Sequence, residues 1–268
     1  MTDHYAVVGH PVAHSKSPLI HAEFARQTGQ NLTYDRILAP LDGFAEVVTA
    51  FHTGGGAGLN VTVPFKEQAF DLATRKTDRA QEGGAVNTLK FEAHEILGDN
   101  TDGAGLAQDL TRNLNTPIGG KRVLLMGAGG AARGVIGPLL QERPSALVLV
   151  NRTSEKAEQL ARQFDLRLSA CGYEDLNGHS FDVVINATSA SLTGHVPELP
   201  ATIFAPGALA YDMMYGVETA FMAWARIHGA QRVADGLGML VEQAAESFYL
   251  WRGIRPDTPS VIALLRQS

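Results

Sequence analysis

The stretch "RVLLMGAGGAARG" (122–134) constrains the fold more than any other part of the chain. Val123, Leu124, Leu125 and Met126 form a short unbroken apolar run, the mark of a strand covered on both faces. Gly127, Ala128, Gly129, Gly130 and Ala131 follow at once, and Ala132 fills the third position of a G-x-G-x-x-G/A pattern. A helix "AARGVIGPLLQE", a strand "ALVLVN", a helix "SEKAEQLARQF" and a strand "FDVVINA" come next. This βαβαβ order implies a parallel sheet with helices over both faces. The glycines turn the chain tightly and let backbone N–H groups approach a pyrophosphate at the helix N-terminus. With strand, helix and second strand all in place, the segment reads as a dinucleotide-binding loop rather than a structural turn.

The end of the second strand bears on which dinucleotide. Enzymes that use NAD usually place an acid there for the ribose 2′-hydroxyl. Here the segment is Asn151, Arg152, Thr153, Ser154, Glu155 and Lys156. Arg152 and Lys156 can pair with a 2′-phosphate, Arg152 through a two-pronged fork, and Asn151 and Thr153 can donate hydrogen bonds. The reading is NADP, with Glu155 weighing slightly against it. The alternative is a solvated basic loop in which Thr153 caps the next helix.

Strands and helices also alternate before this region. Strands are expected at 5–9, 32–38, 57–63 and 85–91, and helices at 17–29, 41–55 and 100–114. Ser17 is expected as the N-cap of the first helix, Pro18 at its first position and Gly29 just past its end. A last helix is expected over 236–251, with Leu237, Val241, Ala244, Ala245, Phe248 and Trp251 on one stripe and Met239 and Gln243 off it. The fold class is therefore α/β with two domains. Residues 1–101 with 237–268 form a substrate-binding α/β domain, and 102–236 a Rossmann-type dinucleotide-binding domain.

Composition removes several classes of function. The chain has 268 residues, 45% hydrophobic and 19% charged, ordinary values for a globular protein. A net charge of −6 gives no global reason to bind nucleic acid or an anionic membrane. Cys171 is the only cysteine, so neither an intrachain disulfide nor a Cys-based metal cluster is available. No signal peptide or membrane span is expected, and a reducing cytoplasm is the expected location. His10, His14 and His21 lie near one another without a matching acid or Cys set, so no metal site is expected.

The first hundred residues carry polar groups in conspicuous places. In "GLNVTVPFKE" (58–67) a strand gives way to Pro64, suited to the first position of a new helix, and Lys66 falls in the first turn of that helix, where a cation is disfavoured. Ser15 and Ser17 precede a helix N-terminus and suit a carboxylate ligand, or Ser17 serves only as a cap. Asn60 and Thr62, two apart, share a strand face that is either solvated or part of a pocket. Asn87 lies in "VNT", and Asp102 in "DNTDG" is either an N-cap or a working acid.

Taken together, "HSKSP", "NVTVPFKE", "GAVNTL", "DNTDG", "GAGGAARG", "NRT", "INATSA", "YDMMYG" and "DGLGMLVEQAA" resemble the shikimate dehydrogenase family, in the family's order from residue 14 to 245. The resemblance implies reversible reduction of the ketone of 3-dehydroshikimate to shikimate with NADPH, in aromatic amino-acid biosynthesis. It implies that Ser15 and Ser17 hold the substrate carboxylate. Asn60, Thr62, Asn87, Asp102, Tyr215 and Gln243 match positions that bond the ring hydroxyls or support those that do. Lys66 and Asp102 match the catalytic pair, which hands a proton to and from the ketone oxygen. Gly127 to Ala131 and Asn151 to Lys156 match the cofactor loops, with a lysine at 156 where the family often has arginine. Thr188, Met213 and Gly236 match positions near the nicotinamide or its ribose, and Asp78 an acidic position sometimes linked to the cofactor. The partners implied are small molecules, with no nucleic acid and no membrane, and a monomer or homodimer.

Overall fold

The computed structural model describes residues 2–164, 168–188, 190 and 194–267. The chain divides into two units, 1–105 with 240–268 and 106–239, each built on a six-stranded sheet.

In the first unit the strands are β1 (Asp3–Gly9), β2 (Leu32–Leu38), β3 (Gly56–Val61), β4 (Arg75–Lys76), β5 (Thr88–Phe91) and β6 (Ile96–Asp99), in the order β2-β1-β3-β5-β6-β4. β1 runs parallel to β2 and β3, whereas β5 is antiparallel to β3 and β6. The sheet is therefore mixed. The helices before the crossover to the second unit are α1 (Ser17–Thr28), α2 (Phe44–Thr53), α3 (Lys66–Leu72) and α4 (Asp78–Gly83). On one face Val8, Leu59, Val61 and Leu89 meet Phe44, Val48 and Phe65, all buried. Burying such a side chain contributes about 1.5–3 kcal/mol. On the other face Tyr5, Val7 and Tyr34 pack with Trp251. Gly58 is required there, because a Cβ would sit 2.6 Å from the Trp251 ring nitrogen.

Local details depart from the sequence reading. Lys16, not Ser17, is the N-cap of α1, and Ser17 is its first residue; Gly29 closes the helix in the left-handed region at φ 64°. β3 ends at Val61, so Thr62 lies past the strand, and Pro64 precedes the helix rather than opening it. Phe65 is the N-cap of α3 and Lys66 its first residue.

The second unit carries the βαβαβ order as read. α5 (Asp102–Gln108) runs into a π turn, Asp109–Asn113, and leads to β7 (Arg122–Met126), α6 (Gly130–Gln141), β8 (Ala146–Val150) and α7 (Ser154–Ala161). β9 (Leu168–Cys171), β10 (Phe181–Asn186), β11 (Phe204–Asp212), α8 (Ala220–Ile227) and β12 (Arg232–Ala234) follow. The order is β12-β11-β10-β7-β8-β9 and every pairing is parallel. Val123 and Leu125 of β7 enter one core cluster and Leu124 and Met126 the other, so both faces are covered. The order reverses between β7 and β10, the place where doubly wound sheets open a crevice at their strand ends.

The chain closes with α9 (Leu237–Arg252) and α10 (Thr258–Arg266). The α9 stripe is buried as expected, but Met239, read as off the stripe, is buried too, in the core of the second unit. The division between units falls inside α5 and α9, after Gly105 and Met239, so Asp102 belongs to the same unit as Lys66.

Candidate functional site

Phe65 is fully buried and stacks on Phe44 at 4.9 Å, which anchors the turn after β3. Lys66 therefore emerges at the first position of α3. Its Nζ donates to Asp102 Oδ2 at 2.5 Å, and Asn87 Nδ2 donates to Asp102 Oδ1 at 2.8 Å. Asp102 is itself the first residue of α5. An acid suits a helix start and a cation does not, so the carboxylate offsets the unfavourable placement of Lys66. The Lys66 and Asp102 side chains are 28% and 13% exposed, partly screened from water but open to a small ligand.

Behind this pair lies a connected set of polar side chains. Asn87 Oδ1 accepts from Thr88 Oγ1 and from the N–H and Oγ1 of Thr101. Asn87 Nδ2 also reaches Gln243 Oε1 at 3.4 Å, and Gln243 Nε2 donates to the Leu240 carbonyl at 2.7 Å. Asn60 is buried: its Oδ1 accepts from the Tyr34 hydroxyl at 2.6 Å, and its Nδ2 donates to Ser247 Oγ at 2.9 Å and Thr88 Oγ1 at 3.1 Å. Neither solvated nor open, Asn60 holds the floor of the cluster. Tyr34, Thr88, Thr101 and Ser247 escaped the sequence reading. Thr88 and Thr101 lie inside the segments "VNT" and "DNTDG", whereas Ser247, one turn after Gln243, lies outside them.

Ser15 and Ser17 meet: Ser15 Oγ donates to Ser17 Oγ at 3.1 Å and accepts from the Ser17 N–H at 3.2 Å. The N-cap residue Lys16 makes no side-chain cap bond, and the first N–H of α1, that of Ser17, is taken by Ser15 Oγ instead. Thr62 is half-buried and its N–H bonds the Val8 carbonyl at 2.9 Å. Nearby, Asp99 is buried under the Arg79 fork at 2.7 and 2.5 Å, the Thr77 hydroxyl at 2.6 Å and the Asn100 N–H at 2.8 Å. Burial alone would raise the Asp99 pKa, but these donors hold it below the usual carboxylate value. Asp78 is an exposed first-turn acid of α4, a placement that the helix dipole favours by itself.

The remaining candidates lie in the second unit. Gly127 has φ +105°, and a Cβ on it would approach the Ala187 carbonyl oxygen to 3.1 Å and Thr188 to 3.2 Å. Gly129 and Gly130 are different: neither has a positive φ, and an added Cβ would meet nothing within 4 Å. The chain's own packing does not ask for glycine at either position, and open backbone at the start of α6 fits the close approach of a pyrophosphate. Ala128 and Ala131 flank them, Ala131 in the first turn of α6.

Arg152, Thr153, Glu155 and Lys156 are exposed, and the side chains of Arg152 and Lys156 make no hydrogen bond or ion pair among the described residues. Thr153 is the N-cap of α7 but makes no cap bond; its carbonyl accepts from Asn151 Nδ2 at 2.9 Å. Ser154 is the first residue of α7. The basic groups are thus free to meet an anion.

At the end of β10, Thr188 donates its hydroxyl to Asn186 Oδ1 at 2.7 Å. Asn186 Nδ2 bonds Asp212 Oδ2 at 3.0 Å, and Asp212 Oδ1 accepts from the Met214 N–H at 2.9 Å. Asn186 and Asp212 thereby fix the loops that present Thr188, Met213 and Tyr215. Gly236 packs against Met213, whose carbonyl oxygen would lie 2.3 Å from a Cβ there. Tyr215 sits in this unit, not with the other hydroxyl-matching positions, and burial raises its pKa. Among the described residues no group of His, Cys, Asp and Glu could hold a metal ion, and no helix is long and apolar enough to cross a membrane.

Comparison with known proteins bears on the same residues. Residues 7–89 match the model of the shikimate dehydrogenase substrate binding domain, 106–194 that of shikimate/quinate 5-dehydrogenase, and 236–266 that of the shikimate 5′-dehydrogenase C-terminal domain. The chain is 62% identical to a shikimate dehydrogenase (NADP(+)) from Nitrosospira multiformis, over 100% of this chain and 98% of that one. It is similar to the crystal structure of an Ael1 enzyme from Pseudomonas putida, with TM-score 0.95, 51% identity and 98% of each chain covered. It is also similar to shikimate 5-dehydrogenase from Thermus thermophilus in complex with NADP(H) and shikimate, with TM-score 0.88, 32% identity and 99% of each chain covered.

Proposed function

Because the chain belongs to the shikimate dehydrogenase family, we propose that it is an NADP-dependent oxidoreductase that reversibly reduces 3-dehydroshikimate to shikimate. The observation that carries the proposal is the Lys66–Asp102 pair at 2.5 Å, held from behind by Asn87.

Reducing a ketone takes a hydride on carbon and a proton on oxygen. The nicotinamide cofactor, when bound, supplies the hydride. Lys66 Nζ gives the proton to the forming alkoxide oxygen and, in the reverse direction, takes it from the alcohol. Asp102 keeps Nζ in place, and Asn87 fixes the Asp102 carboxylate so that its other oxygen stays on Lys66. Ser15 and Ser17 offer hydroxyls at the start of α1 to the substrate carboxylate. Thr62, Asn87, Tyr215 and Gln243 are assigned to the ring hydroxyls, with Asn60 as their support. Gly127 to Ala131 take the pyrophosphate, Arg152 and Lys156 the 2′-phosphate, and Thr188, Met213 and Gly236 the nicotinamide end. A cytoplasmic location and a monomer or homodimer complete the proposal; a single cysteine suits a reducing compartment.

The test is spectrophotometric: NADPH formation from NADP+ with shikimate as substrate, with quinate and NAD+ in parallel. Turnover of shikimate with NADP+ well above the other combinations is expected. Absence of that turnover in a folded preparation refutes the proposal.

A further inference from the structure

Arg36 lies on β2, opposite Val7 of β1, and its side chain is exposed. An exposed arginine ordinarily faces an acid or water. This one directs two donors at a single backbone atom: Nε at 3.0 Å and Nη2 at 2.6 Å from the carbonyl oxygen of Ser15. No carboxylate pairs with it among the described residues. The loop it grips is also tied by backbone bonds from the Ser15 N–H to the Val12 carbonyl at 3.0 Å and from the His10 N–H to the Val63 carbonyl at 2.9 Å, and by His10 Nδ1, 2.8 Å from the Ala39 carbonyl oxygen. Fixing the Ser15 carbonyl fixes the peptide plane between Ser15 and Lys16, and so the backbone that carries the Ser15 side chain, whose hydroxyl then bonds Ser17 Oγ at 3.1 Å. The same grip keeps the Arg36 guanidinium charge against the backbone of the serine loop.

We infer that Arg36 is a positioning residue for anion recognition, holding the Ser15–Ser17 hydroxyl pair in register for a carboxylate. The inference rests on the assignment of Ser15 and Ser17 to the substrate carboxylate. Because Arg36 is exposed, its replacement leaves the core intact, and its effect is confined to the loop.

The experiment compares initial rates of the full chain with those of Arg36→Gln, Arg36→Lys and Ser15→Ala. Arg36→Gln is expected to raise KM for shikimate about tenfold, the scale of a lost charge-assisted pair of bonds, with kcat and KM for NADP+ changed less than about twofold. Arg36→Lys, which keeps the charge but loses the fork, is expected to recover only part of the loss. A merely structural role would move kcat and KM for NADP+ as well, and would not separate lysine from glutamine. If Arg36→Gln leaves KM for shikimate unchanged while Ser15→Ala raises it, Arg36 has no positioning role and the serine assignment stands. If Ser15→Ala also leaves KM unchanged, the serine assignment fails and takes this inference with it.

Discussion

His21 follows Ser17 by one turn of α1 and is 1% exposed. Its ring stacks on Tyr34 at 4.2 Å with 5° between planes, and neither ring nitrogen has a hydrogen-bond partner among the described residues. Burial pulls its pKa down from 6.5 to about 3, and the nearby Asn60 side chain opposes that only in part. The neutral ring is therefore the form the fold accepts. In the unfolded chain the same imidazole takes a proton near 6.5. Between those two values the unfolded state holds one more proton than the native state, so His21 makes stability fall as pH falls. The contribution is intact above pH 6.5 and declines from there down to about 3. At pH 5 the loss is about 2 kcal/mol, from 1.5 pH units at about 1.4 kcal/mol each.

That is a sizeable part of the stability of an ordinary domain. Urea unfolding followed by far-UV circular dichroism at pH 7 and pH 5 measures it. His21→Phe keeps a flat ring against Tyr34 and removes the titration. The natural chain should lose about 2 kcal/mol more than His21→Phe between the two conditions. Other groups titrate equally in both proteins, so the difference belongs to His21. Equal losses would refute the idea that a neutral, buried His21 supports the fold.

The remaining predictions concern the site. Lys66→Ala should lower kcat about 10²- to 10⁴-fold with KM for shikimate little changed; near-full turnover in steady-state assays would remove Lys66 from the chemistry. Arg152→Ala should raise KM for NADPH far more than for NADH, and equal effects on both would discard the 2′-phosphate assignment. Asp99→Asn removes one of the two buried carboxylates on Arg79, leaving Glu246 at 3.5 Å, and should cost about 2 kcal/mol in chemical unfolding, a loss that an unchanged midpoint and slope would contradict.

The second unit was legible because each of its signals is local. An apolar run, a glycine turn and a helix period sit next to one another from Arg122 to Val150, and parallel pairing follows from them. The first unit was less legible where structure comes from distant partners. β6, "ILGD", has no alternation, and β4 has two residues; both exist through pairing with each other and, for β6, with β5. The sequence pattern also could not separate Gly127, bound to glycine by its φ and its neighbours, from Gly129 and Gly130, which are not. Asn60 was visible as a polar residue on a strand. Its burial was not, because the hydroxyl that satisfies it belongs to Ser247, 187 residues further along the chain.

Lys66 shows how far such reasoning reaches. Its misfit at a helix start was visible from sequence alone, but a misfit names no partner. The structure supplies one in Asp102, and then a reason for the partner's placement. Asp102 opens its own helix, where its charge is favoured, so one helix start compensates the other. Stability alone does not explain the pair, since a partly exposed ion pair contributes at most about 1 kcal/mol. A helix start with a neutral residue at position 66 would need no such compensation. What the arrangement does supply is a lysine nitrogen held in place by a carboxylate, with Asn87 locking that carboxylate from the other side. For the proton transfer proposed for Lys66, a fixed position matters more than a favourable one.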